Sequence, residues 1–166
     1  MKQLVILGAS GTASDVIDWL PALAAAGTVY QCLGLLDDDP VKQRAGFAGL
    51  RVLCPLADAG RWPQARFVDA LGGPRSHRRR AEIVARTGLG DDRFETVVHP
   101  LASVSPRATV GPGCLVYPFV FVGPDVRLGR HVTVLSHASI HHETSVGDWS
   151  ILASHVALAG EVTVGE

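Results

Sequence analysis

The sequence has almost no net charge, no long apolar run and too few cysteines for a disulfide framework. Fifteen Lys and Arg against sixteen Asp and Glu leave a formal charge of -1, so no basic excess exists to follow a nucleic-acid backbone or an anionic membrane surface. Neither nucleic acid nor a membrane is an expected partner. The longest apolar stretches, around residues 4–7 and 115–122, fall far short of the roughly 18 residues that a membrane span requires. The start Met1-Lys2-Gln3 passes straight into a strand-like apolar run, without the basic start, long apolar middle and small-residue cleavage site of an export signal. A cytoplasmic location is therefore expected. Cys32, Cys54 and Cys114 are odd in number and widely spaced, which suits neither a disulfide framework nor paired metal ligands. They are expected to be reduced, mostly buried thiols. The chain does have 47% apolar and only 19% charged residues in a length of 166, enough for one ordinary domain or two small ones. It also has 18 glycines, 10 prolines and seven histidines, six of the histidines at or after His99, which points to two unlike halves.

The second half carries an internal repeat. Stepping by six from Val98 gives Val104, Val110, Val116, Val122, Leu128, Val134, Ile140, Val146, Leu152, Leu158 and Val164, every one aliphatic. With aliphatic residues at about one position in four, so long an unbroken series does not arise by chance. Four places after each aliphatic residue comes a small or β-branched one, among them Ala102, Ala108, Cys114, Val120, Val126, Val132, Ala138, Thr144 and Ser150. The two positions alternate inward along a short strand. Glycine recurs just after the aliphatic residue, at Gly111, Gly123, Gly129, Gly147 and Gly165, where it is expected to supply unusual corner angles. This is the hexapeptide pattern of a left-handed parallel β-helix, three hexads or 18 residues to a coil. An antiparallel sandwich would favour a period of roughly 8 to 12 residues instead.

The first half reads as a small α/β unit. An apolar strand over 2–7 ends in Gly8-Ala9-Ser10-Gly11, and Val16, Ile17, Leu20, Leu23 and Ala24 follow at helical spacing. A second strand over 29–36 ends at Asp37-Asp38-Asp39-Pro40, and a third over 65–71 ends at Gly72-Gly73-Pro74. Residues 76–85 read as a helix with a basic face of Arg78, Arg79 and Arg80, leading to a strand near 94–98. Such alternation implies a Rossmann-like parallel sheet with crossover helices over residues 1–95, followed by the β-helix over 96–166. Ligands of these sheets sit beyond the carboxyl ends of the strands, where residues 8–12, 37–39 and 72–75 converge. Backbone N–H groups of the glycine turn suit a phosphate, and a carboxylate ending the second strand suits a ribose or base. A tight turn without a ligand would use the same glycines. GASG lacks the full GxGxxG spacing, so a mononucleotide or nucleotide-sugar is expected in preference to a dinucleotide.

Among the late histidines, His142 and Glu143 follow Ile140 by two and three places, which puts both at a coil corner, facing outwards. An imidazole there can take a proton from an attacking amine or hydroxyl, with the carboxylate orienting the ring. A solvated surface histidine has the same position. His137 and His155 stack on adjacent coils, but without a carboxylate or cysteine pair they do not make a metal site, and no metal is expected. His141 faces solvent or a neighbouring subunit, and His99 acts as a hinge or cap at the junction.

The GASG turn, GLLDDDP at 34–40, VVHP at 97–100 and IHHETSVGD at 140–148 together resemble the bacterial sugar acyltransferases of the sialic acid O-acetyltransferase (NeuD/PglD) family, over essentially the whole chain. The resemblance implies an acetyl-CoA-dependent acetyltransferase acting on an amino or hydroxyl group of a nucleotide-activated sugar or sialic acid, working as a homotrimer with active sites between subunits. It places the general base on His142 and its acidic partner on Glu143. It matches Gly8, Ser10 and Gly11 to the phosphate-side loop, with Thr12 where the family usually has histidine, and Asp37 with Asp38 to the acidic pair near the nucleotide; Gly72 belongs to the same ligand turn. Transfer would be direct, with no acyl-enzyme. Leu135 replaces a usual asparagine, Ile151 a frequent second histidine, and His155 a common glycine. Family members continue for roughly three further coils that help to hold CoA, so a chain ending within a hexad at Glu166 is expected to be truncated. An inactive nucleotide-sugar-binding protein or trimeric scaffold is the alternative that these departures support.

Overall fold

The computed structural model describes residues 1–73 and 76–165, in two units, Met1–Phe94 and Glu95–Glu166. In the first unit β1 (Lys2–Leu7), α1 (Gly11–Ala25), β2 (Tyr30–Leu36), α2 (Pro40–Ala45), β3 (Val52–Cys54), β4 (Arg66–Asp69) and α3 (Arg80–Ala85) follow in order. The four strands form one parallel sheet in the order β3-β2-β1-β4. Leu4, Val5, Ile6 and Leu7 are fully buried, as expected of a central parallel strand covered on both faces. Helix α1 turns Ala13, Val16, Trp19 and Leu23 to the core, a stripe at helical spacing that is rotated slightly from the one the sequence predicts. β2 ends at Leu36, four residues before the proline expected to stop it, and Pro40 starts α2: it sits at the first helical position, where its missing N–H costs nothing, while Asp39 caps the helix by accepting the Val41 N–H at 2.8 Å.

Three expectations for this unit are corrected. The helix expected over 76–85 is a 3-10 turn, His77–Arg79, followed by α3. Arg80 does not belong to a basic face; it is 1% exposed and bound to Asp69 at 2.9 Å. The strand expected near 94–98 is divided, with Phe94 making an isolated parallel bridge to Phe67 and Val97–Val98 beginning the second unit. Pro74 and Arg75 of the predicted third turn lie outside the described residues.

The second unit is built of two-residue strands repeating every six residues. Those starting at 97, 115, 133 and 151 stack into one parallel sheet, those at 103, 121, 139 and 157 into a second, and those at 109, 127, 145 and 163 into a third. Every pairing joins residues 18 apart, such as Ser139 with Phe121 and Ala157. These stacked parallel sheets are consistent with a left-handed parallel β-helix. The small and aliphatic positions do point inward: Cys114, Val116, Val120, Val122, Val126, Leu128, Val132, Val134, Ala138 and Ile140 are buried. Where the inward small residue is polar, it bonds a carbonyl 15 residues on: Thr96 to Gly111, Cys114 to Gly129, Thr144 to Ala159 and Ser150 to Gly165. Cys114 is thus a structural donor, satisfied where an unpaired polar group would be costly. All three cysteines are free thiols, Cys54 and Cys114 buried and Cys32 partly so.

The expected role of the repeat glycines is corrected. Left-handed backbone recurs every six residues at Gly113, Phe119, Asp125, His131, His137, Glu143, Trp149, His155 and Glu161, two places after the predicted glycine. Gly111, Gly123 and Gly129 answer to crowding instead. A Cβ on Gly111 would lie 2.5 Å from the Gly129 carbonyl oxygen, and one on Gly129 would lie 2.8 Å from the Asp148 nitrogen. Neighbouring coils approach too closely there to admit a side chain.

His99 is buried, and its Nδ1 accepts the Leu101 N–H at 3.1 Å, so it serves as a cap. Burial disfavours the charged imidazole and holds its pKa below the ordinary 6.5. As pH falls below 6.5 the unfolded chain binds this proton before the folded one does, so folding loses free energy until the lower folded pKa is passed. Melting curves between pH 7.5 and 5 should therefore fall less steeply with acid for His99→Asn than for wild type; parallel profiles would contradict the assignment.

Candidate active site

In the first unit, the carboxyl ends of β1, β2 and β4 open onto a cavity of about 450 Å³ lined by Gly8 to Gly11, Asp37, Lys42, Ala70 to Gly73 and Ser76. The predicted convergence is observed for Gly8, Ser10, Gly11, Asp37 and Gly72. Gly8 has a φ of +89°, and a Cβ on it would lie 2.8 Å from the Leu71 side chain, so both backbone and space call for glycine. Ser10 is the N-cap residue of α1, yet it spends its hydroxyl on the Ala70 carbonyl at 3.0 Å instead of capping the helix. Thr12 lies in the first turn of α1, beside Gly72.

The two aspartates that the sequence groups together have different duties. Asp37 accepts the Ala9 N–H at 2.8 Å through Oδ2 and the Asp39 N–H at 2.9 Å through Oδ1. One N–H of the glycine turn is therefore already engaged by a carboxylate. Asp38 is not in the cavity lining: it accepts the Leu56 N–H at 2.9 Å and pairs with Arg86 at 2.8 Å. Lys42 was missed by the sequence reading. Its ammonium donates to the Ala9 carbonyl at 2.8 Å and to Asp37 at 3.1 Å, which leaves one of its three protons for a ligand in the cavity. A basic residue in the first turn of a helix opened by Asp-Pro is the signal that could have found it.

In the second unit, His142 and Glu143 stand at a coil corner, with side chains 55% and 60% exposed. Nδ1 of His142 lies 3.1 Å from Oε2 of Glu143. A carboxylate only accepts, so Nδ1 carries a proton, and in the neutral form of the ring the lone pair is on Nε2. Glu161, one coil on, brings a carboxylate within 4.8 Å of both. These three are the donors among the described residues that could share a cation. The remaining histidines have other surroundings. His137 stacks on His155 at 4.9 Å and on Phe119 at 5.1 Å, His131 is buried against Trp149 at 4.0 Å, and His141 is exposed beside Phe121.

No family model matches the chain, and no curated protein matches it. Solved structures do. The acetyltransferase domain of PglB from Neisseria gonorrhoeae FA1090 superposes with a TM-score of 0.74 at 22% identity, over 100% of this chain and 86% of that one. The chain has the fold of that acetyltransferase domain. A variant of perosamine N-acetyltransferase from Caulobacter crescentus, in complex with CoA and GDP-perosamine, gives 0.70 at 24% identity over 99% and 83% of the two chains. WeeI from Acinetobacter baumannii AYE gives 0.59 at 16% identity over 99% and 89%. Among the described residues no helix is long and apolar enough to cross a membrane.

Proposed function

We propose that this protein is an acetyl-CoA-dependent acetyltransferase of the hexapeptide-repeat sugar acyltransferase family, acting on an amino or hydroxyl group of a nucleotide-activated sugar. The first unit is its Rossmann-like nucleotide-sugar-binding domain. Gly8, Ser10, Gly11 and Gly72 form the phosphate side of the cavity with Thr12 behind Gly72, Lys42 supplies the cation there, and Asp37 lies on the nucleoside side with Asp38 outside the lining. In the second unit His142 is the general base. Nε2 takes the proton of the acceptor as its nitrogen or oxygen attacks the thioester carbonyl, and Glu143 stabilises the imidazolium that forms. Collapse of the tetrahedral intermediate breaks the C–S bond. The CoA sulfur leaves with the proton held by His142, and an amide or ester remains on the sugar. Backbone N–H groups stabilise the oxyanion. The working form is a cytoplasmic homotrimer, supported by the exposed apolar side chains of Leu101, Phe119 and Phe121 on the second unit.

The 3.1 Å contact between His142 and Glu143 at an outward corner carries the proposal, because it fixes the tautomer that a proton acceptor needs. Calorimetry with UDP- and GDP-amino sugars and with CoA, together with thiol release from acetyl-CoA, tests it. Sugar-dependent thiol release is expected, and Lys42→Ala should weaken nucleotide-sugar binding about tenfold or more, the loss of a charged hydrogen bond, while leaving CoA binding unchanged. Binding of nucleotide-sugar with neither CoA binding nor turnover would identify a scaffold instead, the reading that Leu135 and Ile151 favour.

A further inference from the structure

Each coil position stacks on those 18 residues away, so the neighbours of His142 in its column are Pro124 and Gly160. Their nearness is visible in the backbone: Glu143 donates its N–H to the Pro124 carbonyl at 3.1 Å, and Glu161 donates its own to the His142 carbonyl at 3.0 Å. A Cβ built on Gly160 would lie 2.5 Å from Cε1, 2.6 Å from Nε2 and 2.9 Å from Nδ1 of His142. The imidazole therefore lies along the column and fills the space where any side chain at 160 would begin. Glycine is not required there by its backbone, which lies outside the left-handed region. Nor does Gly160 belong to the repeat series at 111, 123, 129, 147 and 165; it stands one place later in its hexad.

We infer that Gly160 is a positioning residue for His142, holding the imidazole in its place at the corner by having no side chain. This deepens the proposed function and rests on His142 being the base. Glu143 holds the ring at Nδ1, and the open face of Gly160 admits the ring over the next coil. A methyl group at 160 cannot coexist with the ring as it lies. The coil backbone is fixed by its ladder of hydrogen bonds, whereas the ring is the far end of a half-exposed side chain, so the ring is what yields. It swings outward, and the base leaves its position.

Gly160→Ala should therefore lower kcat ten- to a hundredfold, the usual cost of displacing a catalytic group by about 1 Å, while both KM values stay within about twofold. Nuclear Overhauser contacts between the His142 ring protons and the Gly160 α protons are expected in wild type, and the His142 Cε1–H resonance should shift in Gly160→Ala. Gly60→Ala, with nothing within 4 Å of the added methyl, is the control and should keep wild-type kcat. On a His142→Ala background, Gly160→Ala should cost no further activity or melting temperature, because the clashing ring is gone. Wild-type kcat with an unmoved ring resonance in Gly160→Ala overturns the inference. So does unfolding by Gly160→Ala in both backgrounds, whereas unfolding only when His142 is present supports it. If His142→Ala itself keeps full turnover, the proposed function has failed, a distinct result.

Discussion

His142→Ala should lower kcat for acetyl transfer by about 10²–10⁴-fold, the range that a positioned general base contributes, with little change in nucleotide-sugar or CoA binding. Nε2 is the only nitrogen of this ring left with a lone pair once Glu143 holds Nδ1–H. Alanine removes the proton acceptor, and because the His142 side chain is half exposed, it leaves no buried cavity behind. The folded state should survive, so the variant separates chemistry from stability. Thiol release from acetyl-CoA with the best nucleotide-sugar acceptor provides the rate, and circular dichroism confirms the fold. Glu143→Gln keeps a carbonyl oxygen to accept Nδ1–H but loses the charge facing the imidazolium, so its loss should be smaller and should shrink further in high salt, as expected of an exposed ion pair. Unchanged turnover in His142→Ala would remove His142 from the mechanism.

Asp69→Ala should destabilise the first unit by about 3–5 kcal/mol, the cost of leaving one member of a buried ion pair without its partner. Arg80 and Asp69 have side chains only 1% and 0% exposed and meet at 2.9 Å, and Asp69 also accepts the Leu71 N–H at 3.0 Å. The pair fastens α3 to the end of β4, which opens onto the ligand cavity. With a urea dependence of about 1–3 kcal/mol per molar for a domain of this size, the unit should be largely unfolded or unfold well before wild type. Hydrogen exchange at the β1 and β4 amides would report it unit by unit. Arg79→Ala removes a neighbouring, exposed ion pair with Glu82 at 2.7 Å and should leave the same amides unchanged. Wild-type protection in Asp69→Ala would show that the pair does not hold the sheet. Replacing both partners with apolar residues of similar volume should recover much of the loss, since no buried charge is then left alone.

These two predictions differ in how far they were legible. His142 and Glu143 are placed at an outward corner by counting from Ile140, because in a solenoid each hexad repeats the last. Nothing in the triple Arg78-Arg79-Arg80 distinguishes the one that is buried. Helical spacing makes all three look solvated, and only the approach of Asp69 from β4 shows that Arg80 turns inward. The short elements α2 and β3 were illegible for a related reason. Six residues and three residues are too few to display a period: α2 starts on a local cap, Asp39 accepting the Val41 N–H, and β3 exists only through its pairing with β2. Asp37 and Asp38 look alike as neighbours in a run, yet one closes the glycine turn and the other reaches Leu56 and Arg86.

By itself the sequence determined the stack of coils, the residues that line its interior, and the strand, glycine turn and helix that open the first unit. Periodicity suffices for these because the neighbours of a repeat follow from its spacing alone. Tertiary structure decided where distances in space outrank position in the chain: Lys42 against Ala9 and Asp37, Arg80 against Asp69, and Gly111, Gly123 and Gly129 placed by the closeness of the next coil where corner angles had been expected. The arithmetic of 18 puts Gly160 beside His142, but the direction of an imidazole ring depends on side-chain torsions that no period encodes, and that direction is what makes the missing side chain matter.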